Sequence, residues 1–184
     1  MAVLLIILII LAVIFVVGFL IYNGLIAARN KVKNAWSQID VQLKKRYDLV
    51  PNLIETVKGY VKHEQLTLTK ITELRTQAMQ TKDIKETMKA NEKMSKEIGG
   101  LLNVVVENYP DLKASQNFLM LQEELSGIEN KIAYSRQFYN DTVMDYNNKT
   151  EMFPTNLFAK MFNFQKQEFL EANSKEKENV KVSF

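Results

Sequence analysis

Apolar residues recur along most of the chain at steps of three and four, the spacing of one helix face, and no stretch alternates as a strand would. The beginning is different, because it is apolar on every side. It reads Val3-Leu4-Leu5-Ile6-Ile7-Leu8-Ile9-Ile10-Leu11-Ala12-Val13-Ile14-Phe15-Val16-Val17-Gly18-Phe19-Leu20-Ile21-Tyr22. At about 1.5 Å per residue such a helix reaches about 30 Å, the thickness of a bilayer's hydrocarbon core. A cleaved signal peptide would show a basic start, a shorter apolar run and a small-residue cleavage site. Here no Lys or Arg precedes the run and no such site closes it. The expectation is therefore a membrane-spanning helix, with Tyr22-Asn23 at the aqueous interface.

Beyond it the pattern is amphipathic. Val32, Trp36, Ile39 and Leu43 continue without a breaker from Gly24 to Asp48, so the first soluble helix extends the spanning one, and Trp36 is expected to be largely buried against the bundle. Asp48-Leu49-Val50-Pro51 reads as the first break. A second helix is then predicted from Pro51 to Gln80, with Ile54, Val57, Val61, Leu68 and Ile71 on its stripe. A third is predicted from Ile84 to Tyr109, on Ile84, Met88, Met94, Ile98, Leu102 and Val105. Gly99-Gly100 is its weak point, to be explained by a close helix contact or by a kink. Tyr109-Pro110-Asp111 ends it.

The fourth helix carries the cleanest repeat: Phe118, Leu121, Leu125, Ile128, Ile132, Tyr139, Val143 and Tyr146, running to Thr150. A three-four seam of this kind packs at shallow angles, as in a coiled coil, against antiparallel neighbours. The fold class expected is all-α: a transmembrane helix running into an antiparallel helical bundle of about four helices. The regions are residues 1–24 as anchor, 25–152 as bundle and 153–184 as an aromatic-rich C-terminal segment and tail. In that segment Pro154 interrupts the helix, and Leu157, Phe158, Met161, Phe162, Phe164, Phe169 and Leu170 crowd together with Lys160 and Lys166. These apolar side chains have three destinations: their own bundle, the inner leaflet, or a neighbouring copy.

Charge sharpens the picture in one place. Arg29, Lys31 and Lys33 follow the span with no acid before Asp40, which by the positive-inside rule puts the N-terminus outside and the bundle in the cytoplasm. Elsewhere the net charge of +3 is evenly spread, with no basic stripe for nucleic acid. The chain has no cysteine, which removes disulfides and thiolate metal sites.

Candidate chemistry is sparse. His63 in Lys62-His63-Glu64-Gln65 is half of a zinc-protease pattern, but Thr67 stands where the second His would be. The carboxylates Asp40, Asp48, Glu55, Glu64, Glu124 and Glu129 are those of an amphipathic bundle, solvated or paired. Polar residues beside the seams are more informative. Asp40, Gln42, Arg46, Asp48 and Asn52 surround the first break, while Gln122, Glu129, Asn130 and Arg136 flank the fourth seam. Asn140 and Asn147 share one face, seven residues apart. They serve either as interhelix hydrogen bonds or as a contact surface, and the candidate interaction surface is Asn140, Asn147, Phe158, Phe162 and Phe164.

At this point a family resemblance emerges. Tyr22-Asn23, Arg29-Asn30, Ala35-Trp36-Ser37, Ile39-Asp40-Val41-Gln42-Leu43 and Arg46-Tyr47-Asp48-Leu49-Val50-Pro51-Asn52-Leu53 resemble the LemA family. Glu55-Thr56-Val57-Lys58-Gly59-Tyr60, His63-Glu64, Tyr109-Pro110-Asp111-Leu112-Lys113, Leu121-Gln122 and Glu129-Asn130-Lys131-Ile132-Ala133 continue the pattern. So do Tyr139-Asn140-Asp141, Tyr146-Asn147 and Phe153-Pro154, whereas Gly99-Gly100 departs from it. The resemblance implies a single-pass bacterial membrane protein with a cytoplasmic antiparallel bundle. It implies no reaction, cofactor or catalytic residue, and a magnetosome-membrane branch points to organising membranes.

The resulting expectation is a non-enzymatic scaffold in the bacterial inner membrane, a homo-oligomer that contacts the lipid bilayer and other membrane proteins. No nucleic acid, small-molecule substrate, cofactor or metal is expected. The competing readings are an adaptor or regulator of a membrane enzyme such as a protease, and an enzyme using carboxylates between helices.

Overall fold

The computed structural model describes residues 1–61, 64–81 and 83–170. Six helices and no strand occur among them: α1 (Ala2–Lys58), α2 (Gln65–Gln80), α3 (Ile84–Asn108), α4 (Pro110–Lys113), α5 (Gln116–Glu151) and α6 (Thr155–Met161). This is the expected all-α helical bundle. His63 and the segment 171–184, which includes Val182 and Phe184, lie outside the described residues.

The chain divides into two compact units, which cut across the three regions expected from the sequence. One combines Met1–Gln38 with Ser135–Phe169, and the other is built on Ile39–Tyr134.

In the first unit α1 and α5 are antiparallel, since Lys31 reaches Asp145 at 3.4 Å while Trp36 meets Tyr139 edge-on at 6.3 Å. Leu25, Ala28, Val32 and Ala35 of α1 face Tyr139, Val143 and Tyr146 of α5 as its buried apolar side chains. Trp36 is largely but not fully buried, with Ala35 and Ile39 taking the fully inward positions of that turn. The apolar residues from Val3 to Leu20 are exposed nearly all round, and Leu25 is the first fully buried one. Within α1 the structure thus has one helix long and apolar enough to cross a membrane.

The second unit is a bundle of the rest of α1, α2, α3, α4 and the start of α5. Its core takes Ile39, Leu43, Val50, Leu53 and Val57 from α1, Leu68, Ile71 and Leu74 from α2, and Met94, Ile98, Leu101 and Val105 from α3. Phe118, Leu125, Ile128 and Ile132 of α5 complete it. Each such side chain gains about 1.5–3 kcal/mol on full burial. Asp83 starts α3 by accepting a hydrogen bond from the Glu86 amide at 2.8 Å.

Two boundaries differ from the sequence reading. Pro51 does not end a helix: α1 runs through it to Lys58, and the break comes at Gly59, so the second helix starts at Gln65 rather than at Pro51. A proline inside a helix deprives the carbonyl four residues earlier of its donor. That carbonyl belongs to Tyr47, and Arg75 Nε of α2 donates to it at 2.7 Å. A tertiary hydrogen bond replaces the missing helical one. Gly99-Gly100 likewise leaves α3 unbroken, and a Cβ at either position would meet nothing within 4 Å, so no close helix contact explains the pair.

Candidate functional site

Two constellations stand out, one in each unit. In the bundle unit, a polar network lies inside the apolar core. Arg46 is 5% exposed and forms a 2.8 Å ion pair with Glu129. Its Nη1 also donates to Ser95 Oγ at 2.8 Å, and Ser95 donates to Glu129 Oε1 at 3.2 Å. One turn away, Asn91 Nδ2 donates to the Tyr47 hydroxyl at 2.6 Å and to the Thr87 carbonyl at 2.9 Å. The sequence singled out Arg46 and Glu129 separately, and the structure pairs them. It did not single out Thr87, Asn91 or Ser95. Thr87 and Asn91 take inward positions on α3, with Leu101 buried in place of the expected Leu102.

Burial sets the electrostatics of this network. It pushes the Arg46 guanidinium below its usual range, although the Glu129 carboxylate opposes that shift. It raises the Tyr47 phenol, against the hydrogen bond from Asn91. The arrangement holds one cation by one carboxylate and one hydroxyl. It therefore fixes the register of α1, α3 and α5, with no nucleophile–base pair among these side chains. Between α2 and α3 lies an open polar groove of about 740 Å³ lined by Thr69, Thr72, Glu73, Thr76, Gln77 and Glu86. The hydroxyls of Thr69, Thr72 and Thr76 already donate to carbonyls four residues back. Among the described residues no group of three or more His, Asp or Glu converges to hold a metal ion.

In the other unit the C-terminal segment folds back on α1 and α5. The Phe153–Pro154 peptide is cis, and α6 follows. Asn163 then adopts φ 56°, Asn163 N–H donates to Lys160 O and Phe164 N–H to Ala159 O at 2.8 Å. This is a Schellman motif with Asn at the left-handed position. Beyond it the chain lies along α5, tied by its backbone. Tyr146 donates to Gln165 O at 2.9 Å, and Tyr139 to Glu168 O at 3.4 Å. Asn147 brackets Gln167, donating to its carbonyl and accepting from its amide, both at 2.9 Å. Burial raises the Tyr139 and Tyr146 phenols.

The predicted surface residues are thus sorted. Asn147 donates and accepts within the chain, and its partner is the backbone of the non-helical Gln167 rather than another helix. Phe158, Phe162 and Phe164 gather on α1: Phe162 and Phe164 meet Tyr22 edge-on at 4.8 and 5.9 Å, and Arg29 lies 5.2 Å over Phe164. A Cβ at Gly18 would come within 2.9 Å of the Phe158 ring, so only glycine allows this approach. Asn140 lies about two turns before the bracket and is half-buried. Lys166 pairs with Glu151, while Lys160 is exposed.

Together these features define an antiparallel helical-bundle protein whose first helix is able to span a membrane. Residues 35–184 match the LemA family. The chain is 31% identical over 162 residues to Protein LemA of Metamycoplasma hominis, a match covering 88% of this chain and 74% of that protein. It belongs to the LemA family.

Proposed function

We propose that this LemA-family chain is a non-enzymatic, membrane-anchored scaffold that self-associates and organises the membrane or its proteins. The observation that carries the reading is the continuity of α1, a 57-residue helix whose first part is exposed and apolar and whose second part is bundle core. About twenty apolar residues in water would be a large unfavourable patch, whereas hydrocarbon is their natural solvent. Arg29, Lys31 and Lys33, directly after the span, support a bundle on the cytoplasmic side of a bacterial inner membrane by the positive-inside rule. Arg46, Ser95 and Glu129 bond to one another inside the bundle, which suits a structural role.

The mass of the detergent-extracted particle tests this. A homo-oligomer is expected, and a monomer without bound protein would overturn it. A stable complex with a different membrane protein would favour a second reading, an adaptor or regulator of a membrane enzyme such as a protease. In that reading the aromatic C-terminal segment, with Phe153, Leu157 and Phe162 exposed, is the contact. Orientation is checked by a tag at residue 184, which external protease should fail to remove from intact cells.

A further inference from the structure

We infer that the segment from Met152 to Phe162 is a second membrane-embedded element, a short wedge that dips into the same leaflet as the end of the spanning helix. The inference rests on the anchoring proposed above and names a second lipid contact for it. Its first support is height. Phe158 packs on Gly18, and Phe158, Met161 and Phe162 line an apolar groove of about 360 Å³ with Ile14, Phe15 and Phe19. Gly18 and Ile14 lie four and eight residues before Tyr22, about 6 and 12 Å along the helix axis. With Tyr22 at the interface, α6 sits at the depth of the acyl-chain boundary, where amphipathic helices settle about 5–10 Å deep.

The second support is what faces outward. Met152, Phe153, Leu157, Met161 and Phe162 are all exposed, Phe153 to 80%, and Met161 and Phe162 among them line the groove with the exposed Phe15 and Phe19 of the span. The apolar surface of the wedge is continuous with the surface that hydrocarbon covers. Lys160 is exposed on α6 and suits anionic headgroups at the rim.

The third support is closure of the backbone at the two ends of α6, although Asn156 Oδ1 inside it is buried without a partner. An element in lipid has to satisfy its own polar groups, because hydrocarbon offers no partner. Asn156 N–H donates to Met152 O at 2.8 Å and Leu157 N–H to Pro154 O at 3.3 Å at the start of α6. The Thr155 hydroxyl turns back onto Met152 O at 2.8 Å, and the Schellman motif closes the other end. The Tyr146 and Asn147 contacts to residues 165 and 167 then hold the returning chain on α5, which keeps the wedge against the span.

Depth-dependent quenching tests this on the full chain in vesicles of phosphatidylcholine and phosphatidylglycerol with brominated acyl chains. Trp36 is the chain's one tryptophan, so Trp36→Phe supplies a silent background for Leu157→Trp or Phe19→Trp, both at exposed positions. Circular dichroism confirms that each variant is folded. The indole at position 157 should emit to the blue and lose most of its intensity in brominated lipid, as the one at position 19 should. Native Trp36, about 21 Å beyond Tyr22, should be unquenched. Quenching at 19 with water-like, unquenched emission at 157 overturns the wedge and leaves the anchor standing. Blue emission at 157 without quenching overturns it in favour of a protein partner. Loss of quenching at both positions overturns the anchoring itself.

Discussion

The two ends of α1 share one backbone geometry and differ in everything their side chains meet. Between Val3 and Leu20 the side chains are exposed, Leu20 to 63%, although nearly all are apolar. Between Ile39 and Val57 the apolar side chains fall on one stripe, and Ile39, Leu43 and Val50 have no exposure. The helix carries both because backbone hydrogen bonds are satisfied within it in either surrounding. Side-chain pattern alone assigns the solvent: an all-round apolar surface needs hydrocarbon, and a stripe needs other helices.

Opposite responses to one charge would separate these ends. Ile128 faces the bundle core with 8% exposure, so Ile128→Asp should lower bundle stability by about 4 kcal/mol or more. Leu8→Asp should leave the melting of the bundle unchanged while weakening membrane insertion by about 3 kcal/mol. Melting and membrane fractionation of both variants check the contrast, and a parent-like melt for Ile128→Asp would show that the seam is misplaced. Next in size is the pair inside the core. Glu129→Leu strands the Arg46 charge, which should cost about 3 kcal/mol, the low end for buried pairs because the Glu129 side chain is 41% exposed. Adding Arg46→Met should recover most of that loss, and no recovery would mean that the pair is not a unit.

The same contrast explains what the sequence could disclose. The α5 seam was legible because its residues are apolar: Leu125, Ile128, Ile132, Tyr139, Val143 and Tyr146 are all buried, and Leu121 is half-buried. The α3 face was legible only in part. Thr87 and Asn91 are polar and buried, and a pattern search that weighs apolarity passes over them for Met88. Pro51 misled for a local reason: the donor that relieves it, Arg75, lies 28 residues along the chain from Tyr47. Arg46 and Glu129 were visible as polar residues beside seams, but their pairing depends on how three helices dock. The aromatic segment was legible in composition alone, because its path depends on the backbone bonds of Tyr139, Tyr146 and Asn147 to carbonyls and amides that every residue carries.

Alkaline pH should act on both units through their tyrosines. Burial raises the Tyr47, Tyr139 and Tyr146 phenols above the ordinary 10.0. Native protein then keeps these protons at a pH where unfolded chain releases them. Their stabilisation is therefore fully present below pH 10 and is lost as pH rises through the raised values. The melting temperature should hold up to about pH 10 and fall above it, with phenolate absorbance rising as the fold is lost. Tyr47→Phe should reduce the fall, and an unchanged alkaline profile in that variant would remove Tyr47 from the account.

The smallest expected effect concerns the proline that the helix absorbs. Arg75 Nε reaches the Tyr47 carbonyl at 2.7 Å because Pro51 has no N–H to offer it. Arg75→Ala should therefore strand that carbonyl and cost about 1.5 kcal/mol, the range for a hydrogen bond from a charged donor. Pro51→Ala restores an amide four residues beyond Tyr47 and gives the carbonyl a helical donor of its own. In that background Arg75→Ala should cost clearly less, since the bond it removes is no longer the sole partner. The quantity to measure is the coupling energy of the double-mutant cycle, from denaturant unfolding of the two single variants and the double. A coupling of about 1 kcal/mol would identify Arg75 as the substitute for the missing amide. Strict additivity would mean that Arg75 acts through its own packing, and that α1 tolerates Pro51 for some reason other than this bond.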